Sequence, residues 1–364
     1  MTPEELAGGR LTIDLNALAS NWRALRDRAA PAECGAVVKA NAYGLGIEHV
    51  VPVLTRAGCR AFFVALPEEG ARVRAAAPEA TIYVLNGVFA PLDHYREHDL
   101  RPVVGTWADA EHIAGSGLPC ALHVDTGMTR LGLRVEEAER LAKDPLRDRL
   151  DLQLVMTHFA CADDHDHPMT TRQHEEFART ASLFPGVPRS IDNSAATMDR
   201  VDAMDLARPG VAIYGAEALN DAAPLDTVVK LEGRVVQVRA AKRGETVGYG
   251  AAVTLTRDSR IAIVAVGYAD GYPRAASGAG VAMRYVNGGA QGFVRERFVP
   301  VLGRVSMDLT AFDVTDVADV EQGDWMEMIG PNVPIDEVAR AAGTIGYELL
   351  TGLGRRFART YIRG

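Results

Sequence analysis

The chain has 364 residues, a net charge of −9 at pH 7 and 48% hydrophobic residues, which are typical of a globular protein with one large and one smaller domain. The acidic balance argues against a nucleic-acid surface, which needs a basic patch. We find no apolar run long enough to span a membrane and no secretory signal at the N-terminus. Four scattered cysteines without CxxC spacing indicate reduced thiols, so we expect a cytoplasmic protein.

A short strand over 11–15 and a helix from Leu15 to Ala30 are the first predicted elements, because apolar residues recur there at helical spacing. Eight short apolar runs then alternate with helix-like segments. The predicted strands are 35–39, 61–66, 81–86, 101–106, 121–126, 152–159, 189–194 and 210–215. This alternation indicates parallel strands joined by right-handed crossovers, and eight units in this length predict an α/β fold of the (β/α)8 TIM-barrel type. A doubly wound open sheet is the alternative, but no GxGxxG motif follows the first strand.

The pattern changes near Val229, where β-branched residues and glycine turns replace the helical periodicity. We therefore predict a barrel domain over 11–228 and a mostly-β domain over 229–364. Residues 1–15 are expected to pair with the second domain. A late helical segment is predicted near 335–351, and the Gly- and Ala-rich stretch 272–298 is interpreted as a loop.

Polar residues follow the predicted barrel strands at the ends where barrel enzymes carry their chemistry. Lys39 ends the first strand, Arg130 follows the fifth and His158 ends the sixth. The loops after the last two strands are the usual phosphate site of this fold, and there the sequence offers the Ser194 hydroxyl and the backbone of Gly210. A lone strand-end lysine is usually solvated. A lysine that shares one mouth with an arginine and a phosphate site indicates pyridoxal phosphate held as a Schiff base.

Nine motifs in order then carry a resemblance: AVVKANAYGLG, HVDTGMTRLGLR, THFACAD, NSAA, RPGVAIYG, VGYGAAV, VGYADGYPR, GRVSMD and GYELLTGLGRR. Together they resemble the pyridoxal-phosphate-dependent alanine racemase family of fold type III, over both domains from about residue 10 onward. The resemblance implies an isomerase that interconverts L-alanine and D-alanine and supplies D-alanine for peptidoglycan. It also implies a homodimer in which the partner's β domain completes each active site, with no nucleic acid, membrane or metal involved.

Residue roles follow from the same resemblance. Lys39 would bind the cofactor and act as base on one face of the substrate Cα, and Tyr249 of the partner subunit would act on the other face. The cofactor-binding residues implied are Lys39, Tyr43, His158, Asn193, Ser194, Arg208, Gly210, Val211 and Tyr347. Arg208 would face the pyridine nitrogen, with His158 beside it. The substrate-binding residues implied are Arg130, Tyr268, Met307 and Asp308, with Tyr268 restricting substrate size.

The chain departs from the family pattern two residues before the DTGM aspartate. Many members carry there a lysine whose carbamate positions the arginine equivalent to Arg130, and this chain has His123 instead. Arg130 must therefore be oriented in another way, and we expect altered kinetics with activity retained. Ser306 replaces a frequent cysteine, which is a mild change.

The sequence supports other functional interpretations less well. A barrel-type decarboxylase of basic amino acids would present an acidic residue to the pyridine nitrogen, and a single-barrel cofactor carrier would lack the second domain. A racemase of broader specificity, for serine or basic amino acids, is the alternative that the sequence excludes least. The segment CADDHDHPM is interpreted as a polar loop and not as a metal site.

Overall fold

The computed structural model describes residues 2–164, 166–199, 202, 204–219, 222–279 and 289–363. The chain forms two compact units. The barrel unit comprises Ala19–Ile213 and Glu217–Leu225, and the β unit comprises Met1–Leu18, Tyr214–Ala216 and Asp226–Gly364. No helix among the described residues is long and apolar enough to cross a membrane.

The barrel unit has the predicted (β/α)8 architecture with parallel strands. The strands are Glu33–Cys34 with Ala36–Val37, Ala61–Val64, Thr81–Val84, Leu100–Val104, Pro119–Asp125, Asp151–Met156, Arg189–Ser190 and Leu206–Ala207. The last strand closes the ring, because Asp205 N donates to Arg189 O at 3.0 Å on one side and Gly35 N donates to Ala207 O at 2.9 Å on the other. The carboxyl ends of all eight strands therefore meet at one rim.

The helices of this region cover the outside of the strands, and the first of them matches its predicted start. They are Leu15–Ala29, Ile47–Ala57, Pro67–Ala76, Leu92–Glu97, Trp107–Ile113, Val135–Leu141, Pro168–Ala181 and Ser194–Asp199. Inside the barrel, side chains from successive strands form a separate packed cluster that includes Phe63, Tyr83 and Met156. The rings of Phe63 and Tyr83 stack with centroids 5.0 Å apart. The interior is thus filled by side chains and is a core, not a channel.

The eighth strand was predicted at the wrong place. The run 210–215 contains the 3₁₀ helix Val211–Tyr214, and the strand lies upstream at Leu206–Ala207. Val211 and Ile213 are fully buried. A short apolar run that is buried on all sides has no period, so its sequence does not distinguish a strand from a helical turn.

The β unit is built on one twisted sheet. Its strand order is Arg297–Pro300, Gln291–Val294, Trp325–Ile329, Val229–Ala241, Gly9–Asp14 and Ala358–Ile362, and Ser259–Val264 and Thr310–Asp313 extend it from the long strand. Gly9–Asp14 pairs antiparallel with Val229–Ala241, so the first strand of the chain belongs to this sheet. Two helices, Ile335–Ala342 and Gly346–Gly352, occupy the predicted late helical segment. The loop predicted at 272–298 is wrong at Gln291–Val294, which is a strand, and at its end, where the strand Arg297–Pro300 begins. Residues 280–288 lie outside the described residues.

Candidate active site

Lys39 opens a strained turn at the barrel rim. It follows the strand Ala36–Val37, and the next four residues all have positive φ: 53° at Ala40, 56° at Asn41, 54° at Ala42 and 52° at Tyr43. Each L-residue in this left-handed conformation costs about 1–2 kcal/mol. Strain of this kind persists only where surrounding contacts hold it, and such places are often functional.

Glu69 is one of the contacts that hold this turn, together with Arg72, which donates to Asn41 Oδ1 at 2.5 Å. The Glu69 carboxylate is 6% exposed and accepts three backbone hydrogen bonds, from Asn41 at 3.1 Å, Ala65 at 3.0 Å and Leu66 at 3.2 Å. Burial, followed by the charge of Arg130, lowers the pKa of the Lys39 ammonium, while Glu69 acts in the opposite direction. The turn therefore presents a lysine that loses its proton more easily than a solvated one.

Replacing Glu69 with glutamine is expected to destabilise the turn. An amide keeps one acceptor oxygen and turns an NH₂ group toward the backbone donors, so at least one buried N–H loses its partner at a cost of about 1–3 kcal/mol. We expect a lower free energy of unfolding in denaturant and weaker pyridoxal phosphate binding by titration. Glu68→Gln, an exposed neighbour on the same helix, is the control. Equal behaviour of the two variants would contradict the role given to Glu69.

Ser194, Gly210 and Tyr43 form a cradle on the same rim. Ser194 Oγ accepts hydrogen bonds from Gly210 N at 2.7 Å and Ala212 N at 3.3 Å. Both lone pairs of the hydroxyl are used, which leaves its O–H to donate outward to an anion. A Cβ on residue 210 would lie 2.4 Å from the Tyr43 hydroxyl oxygen, so only glycine leaves this space open. These residues fit a phosphate group, with Val211 fully buried behind them.

Gly210→Ala is expected to weaken cofactor binding. The added methyl group must displace the Tyr43 hydroxyl, because real Cβ atoms do not approach other heavy atoms to 2.4 Å. A loss of about 1–3 kcal/mol corresponds to roughly a 5- to 150-fold higher Kd for pyridoxal phosphate. Fluorescence titration of the apoprotein measures it. Gly105→Ala is the matched control, since its Cβ would make only an ordinary 3.5 Å contact with Gly132 N. Equal Kd values for the two variants would contradict the role given to Gly210.

Arg208 lies at the barrel centre and is 3% exposed. Its guanidinium donates to Thr157 O at 2.6 Å, to Ile191 O at 3.4 Å and to Ser190 Oγ through a very short bond, and it lies 3.5 Å from His158 Nδ1. Burial lowers the pKa of Arg208 to about 10, and burial followed by the Arg208 charge lowers the pKa of His158 well below its ordinary value. His158 is therefore a neutral acceptor beside a charged donor.

Asn193 caps the start of the helix Ser194–Asp199. Its side-chain oxygen accepts a hydrogen bond from Ala196 N at 3.1 Å, and its carbonyl accepts from Thr197 N at 3.0 Å. These bonds satisfy the first turn of the helix Ser194–Asp199 and place Ser194 at its start. The cofactor contact expected from the sequence stays a prediction.

His123 and Arg130 form the part of the site that departs from the family pattern. His123 is 8% exposed, and burial, then Arg208 and Arg130, lower its pKa to about 4, so the ring is neutral. Among the described residues, no hydrogen bond reaches the exposed Arg130 side chain. Asp125 Oδ1 instead accepts from Gly127 N at 2.9 Å and Thr129 N at 3.0 Å and shapes the turn that leads to Arg130. These bonds fix the backbone that leads to Arg130.

The remaining predicted site residues lie in the β unit and are exposed. They are Tyr249 (71% exposed), Tyr268 (42%), Met307 (54%), Tyr347 (36%) and Asp308, whose carboxylate pairs with Arg356 at 2.8 Å. Tyr268 N donates to Ser306 O at 3.1 Å, which places Tyr268 beside the Met307 segment. Tyr268 and Met307 are thus large side chains that lie close together and are exposed, a feature typical of an interaction site.

Sequence reasoning missed Glu69, Gln173 and Asp192. Gln173 is fully buried, donates to His158 O at 3.0 Å and to Thr126 Oγ1 at 3.2 Å, and accepts from Ala160 N at 2.9 Å. Gln173 lies four positions before the buried Phe177 on the helix Pro168–Ala181. A polar residue at this helical spacing from a buried aromatic residue was the sequence signal available for it. Among the described residues no group of three His, Cys, Asp or Glu side chains forms a metal site; His165 of CADDHDHPM lies outside the described residues.

A closed barrel with a half-buried rim lysine, a buried arginine and an anion cradle defines the class of barrel enzymes that use pyridoxal phosphate. The model of the alanine racemase N-terminal domain matches residues 13–218, and that of the C-terminal domain matches 228–361. The chain belongs to the alanine racemase family.

Individual relatives agree with this assignment over full length. An alanine racemase of Rhizobium meliloti is 50% identical, with 100% of this chain and 99% of the relative covered. A biosynthetic alanine racemase of Agrobacterium fabrum is also 50% identical, with 98% and 95% covered. The crystal structure of alanine racemase from Bartonella henselae with covalently bound pyridoxal phosphate has a TM-score of 0.90 at 35% identity and covers 98% of this chain and 100% of that one.

Proposed function

We propose that this pyridoxal-phosphate-dependent alanine racemase works with two bases, Lys39 on one face of the alanine Cα and Tyr249 of the partner subunit on the other. When bound, pyridoxal phosphate withdraws electrons from Cα and makes its proton removable. Lys39 Nζ takes or returns this proton on its own face, since burial and Arg130 favour its neutral form. Racemisation needs a second group on the opposite face, and the Tyr249 hydroxyl is proposed for it.

The barrel residues hold the reactants in this proposal. Ser194 and Tyr43 would bind the phosphate, Arg208 would face the pyridine nitrogen, and Arg130 would bind the substrate carboxylate. A guanidinium keeps its proton in proteins, so Arg208 would offer the ring nitrogen a hydrogen bond without giving up a proton to it. The observation that carries the proposal is the half-buried rim lysine on a turn that Glu69 contacts, on the same rim as an anion cradle in which Gly210 leaves room for the Tyr43 hydroxyl.

A homodimer completes the proposed site. Tyr249, Tyr268 and Met307 are large, exposed and partly apolar, and a second copy of the chain would cover them. The proposal places Tyr268 and Met307 near the substrate, with Asp308 on the carboxylate side, and assigns Tyr347 to the phosphate. The cytoplasmic location expected from the sequence stays a prediction.

The decisive experiment is incubation of purified, cofactor-loaded protein with L-alanine, L-serine and L-lysine, followed by chiral chromatography. D-alanine is expected as the main product, and its absence from a cofactor-loaded sample would overturn the proposal. The racemase of broader specificity is not favoured, since the relatives are alanine racemases. The relative named biosynthetic supports a role in supplying D-alanine for peptidoglycan.

A further inference from the structure

Asp192 is a buried carboxylate that the proposed mechanism does not use. It is fully buried, and neither of its carboxylate oxygens accepts a hydrogen bond from a described residue. Buried carboxylates without hydrogen bonds are costly and therefore rare. The location of Asp192 points to a reason for its presence, because Arg208 N donates to the Asp192 carbonyl at 3.0 Å and brings the two residues together across neighbouring strand ends.

Arg208 needs a counter-charge that its hydrogen bonds do not supply. Among the described residues, its guanidinium donates only to neutral acceptors: the hydroxyl of Ser190, the carbonyls of Thr157 and Ile191, and neutral His158. Its carbon lies 5.8 Å from the centre of the Phe63 ring. A guanidinium buried this deeply is costly to keep charged unless a negative group lies close by. Among the described residues, the Asp192 carboxylate is a negative group whose charge raises the pKa of the Arg208 guanidinium, against the effect of burial.

We propose that Asp192 is the counter-charge of Arg208 and a positioning residue for the racemase reaction, which sets how strongly this guanidinium donates to the cofactor's pyridine nitrogen. The inference rests on the proposed function, because it assumes that Arg208 faces that nitrogen. Asp192 touches neither cofactor nor substrate in this account and acts through Arg208 alone.

The charge of Asp192 changes with pH in the working range of an enzyme. Burial raises its pKa to about 7, Arg208 opposes this shift, and Asp202 and Asp199 add to it. Arg208 directly follows the strand Leu206–Ala207, Asp202 lies before that strand, and Asp199 ends the helix Ser194–Asp199. Above its pKa the Asp192 carboxylate is charged and attracts the guanidinium. Below its pKa the carboxyl group is neutral, and Arg208 donates to its other partners without this attraction.

Asp192→Asn tests the proposal, since the amide keeps the shape and imitates the protonated acid. In the wild-type holoenzyme we expect the absorbance of the bound cofactor to show a pH transition with a midpoint near 7, and we expect Asp192→Asn to lack it. Asp199→Asn should move the midpoint to lower pH, because it removes a neighbouring negative charge. The kcat of Asp192→Asn should differ from wild type by about three- to tenfold at pH 8 and approach it at pH 6.

Asp205→Asn is the matched control, because this exposed carboxylate on the same segment pairs with Arg189 and should leave the transition unchanged. If Asp192→Asn does not fold, Asp192→Ser takes its place. A wild-type holoenzyme without a transition, or one whose transition persists in the neutral variant, would overturn the inference while D-alanine formation still supports the proposed function. Absence of D-alanine in the wild type would reject the proposed function itself.

Discussion

Lys39→Ala is expected to abolish racemisation and to remove the absorbance band of the covalently bound cofactor. Both the attachment point and one of the two bases disappear together, so a loss of at least about 10⁴-fold in kcat is expected. Chiral chromatography measures the activity, and an absorbance scan of dialysed protein measures the attachment. A covalent band that survives dialysis would place the attachment on another lysine and reject this assignment.

The fold should tolerate this substitution. Glu69 contacts the turn through the backbone N–H of Asn41, not through the Lys39 side chain, so the free energy of unfolding of the cofactor-free protein should stay close to that of the wild type. Lys143→Ala is a suitable control, because it removes a lysine at the end of a helix outside the site. It should retain both the band and the activity.

Tyr249→Phe is expected to lose racemisation by about 10²–10⁴-fold and to keep the cofactor band. The variant retains Lys39 and therefore a base on one face. In D₂O it should still exchange the Cα proton of one alanine enantiomer while failing to exchange that of the other, and mass spectrometry of each enantiomer measures this. Equal exchange of both enantiomers, or unimpaired racemisation, would show that another group is the second base.

Tyr272→Phe is the matched control in the same unit. Its hydroxyl is fully buried and has no partner among the described residues, so removal of the oxygen should leave the activity unchanged and leave stability equal or slightly higher. The 71% exposed Tyr249 side chain packs little in the single chain, so a loss of activity there would reflect chemistry and not folding.

A mixture of the two inactive variants tests whether the site is shared between subunits. A dimer with one Lys39→Ala chain and one Tyr249→Phe chain has one site with both bases intact and one with neither. Random exchange of subunits should restore about a quarter of the wild-type activity. No recovery, despite exchange confirmed by native mass spectrometry of tagged chains, would count against an interfacial Tyr249.

The sequence alone predicted the barrel and the rim position of most polar groups. Alternating strands and helices specify a parallel barrel, and in a parallel barrel the residues after each strand reach one rim. For this reason, reasoning from strand order brought Lys39, Arg130 and His158 to one rim, whereas the role of Arg208 followed from the family resemblance. The local patterns failed at 210–215, where a fully buried run has no period that separates strand from helical turn.

Tertiary structure decided how these groups are held and charged. Glu69 binds the Lys39 turn from 28 residues beyond Asn41, and Asp192 lies beside Arg208 because two strand ends are neighbours in the closed barrel. Such contacts depend on burial and on pairs distant in the chain, and no local spacing encodes them. The sequence by itself determined which chemistry is present and at which rim. The fold alone decided which lysine loses its proton easily, which glycine must remain a glycine, and which buried acid accompanies the arginine.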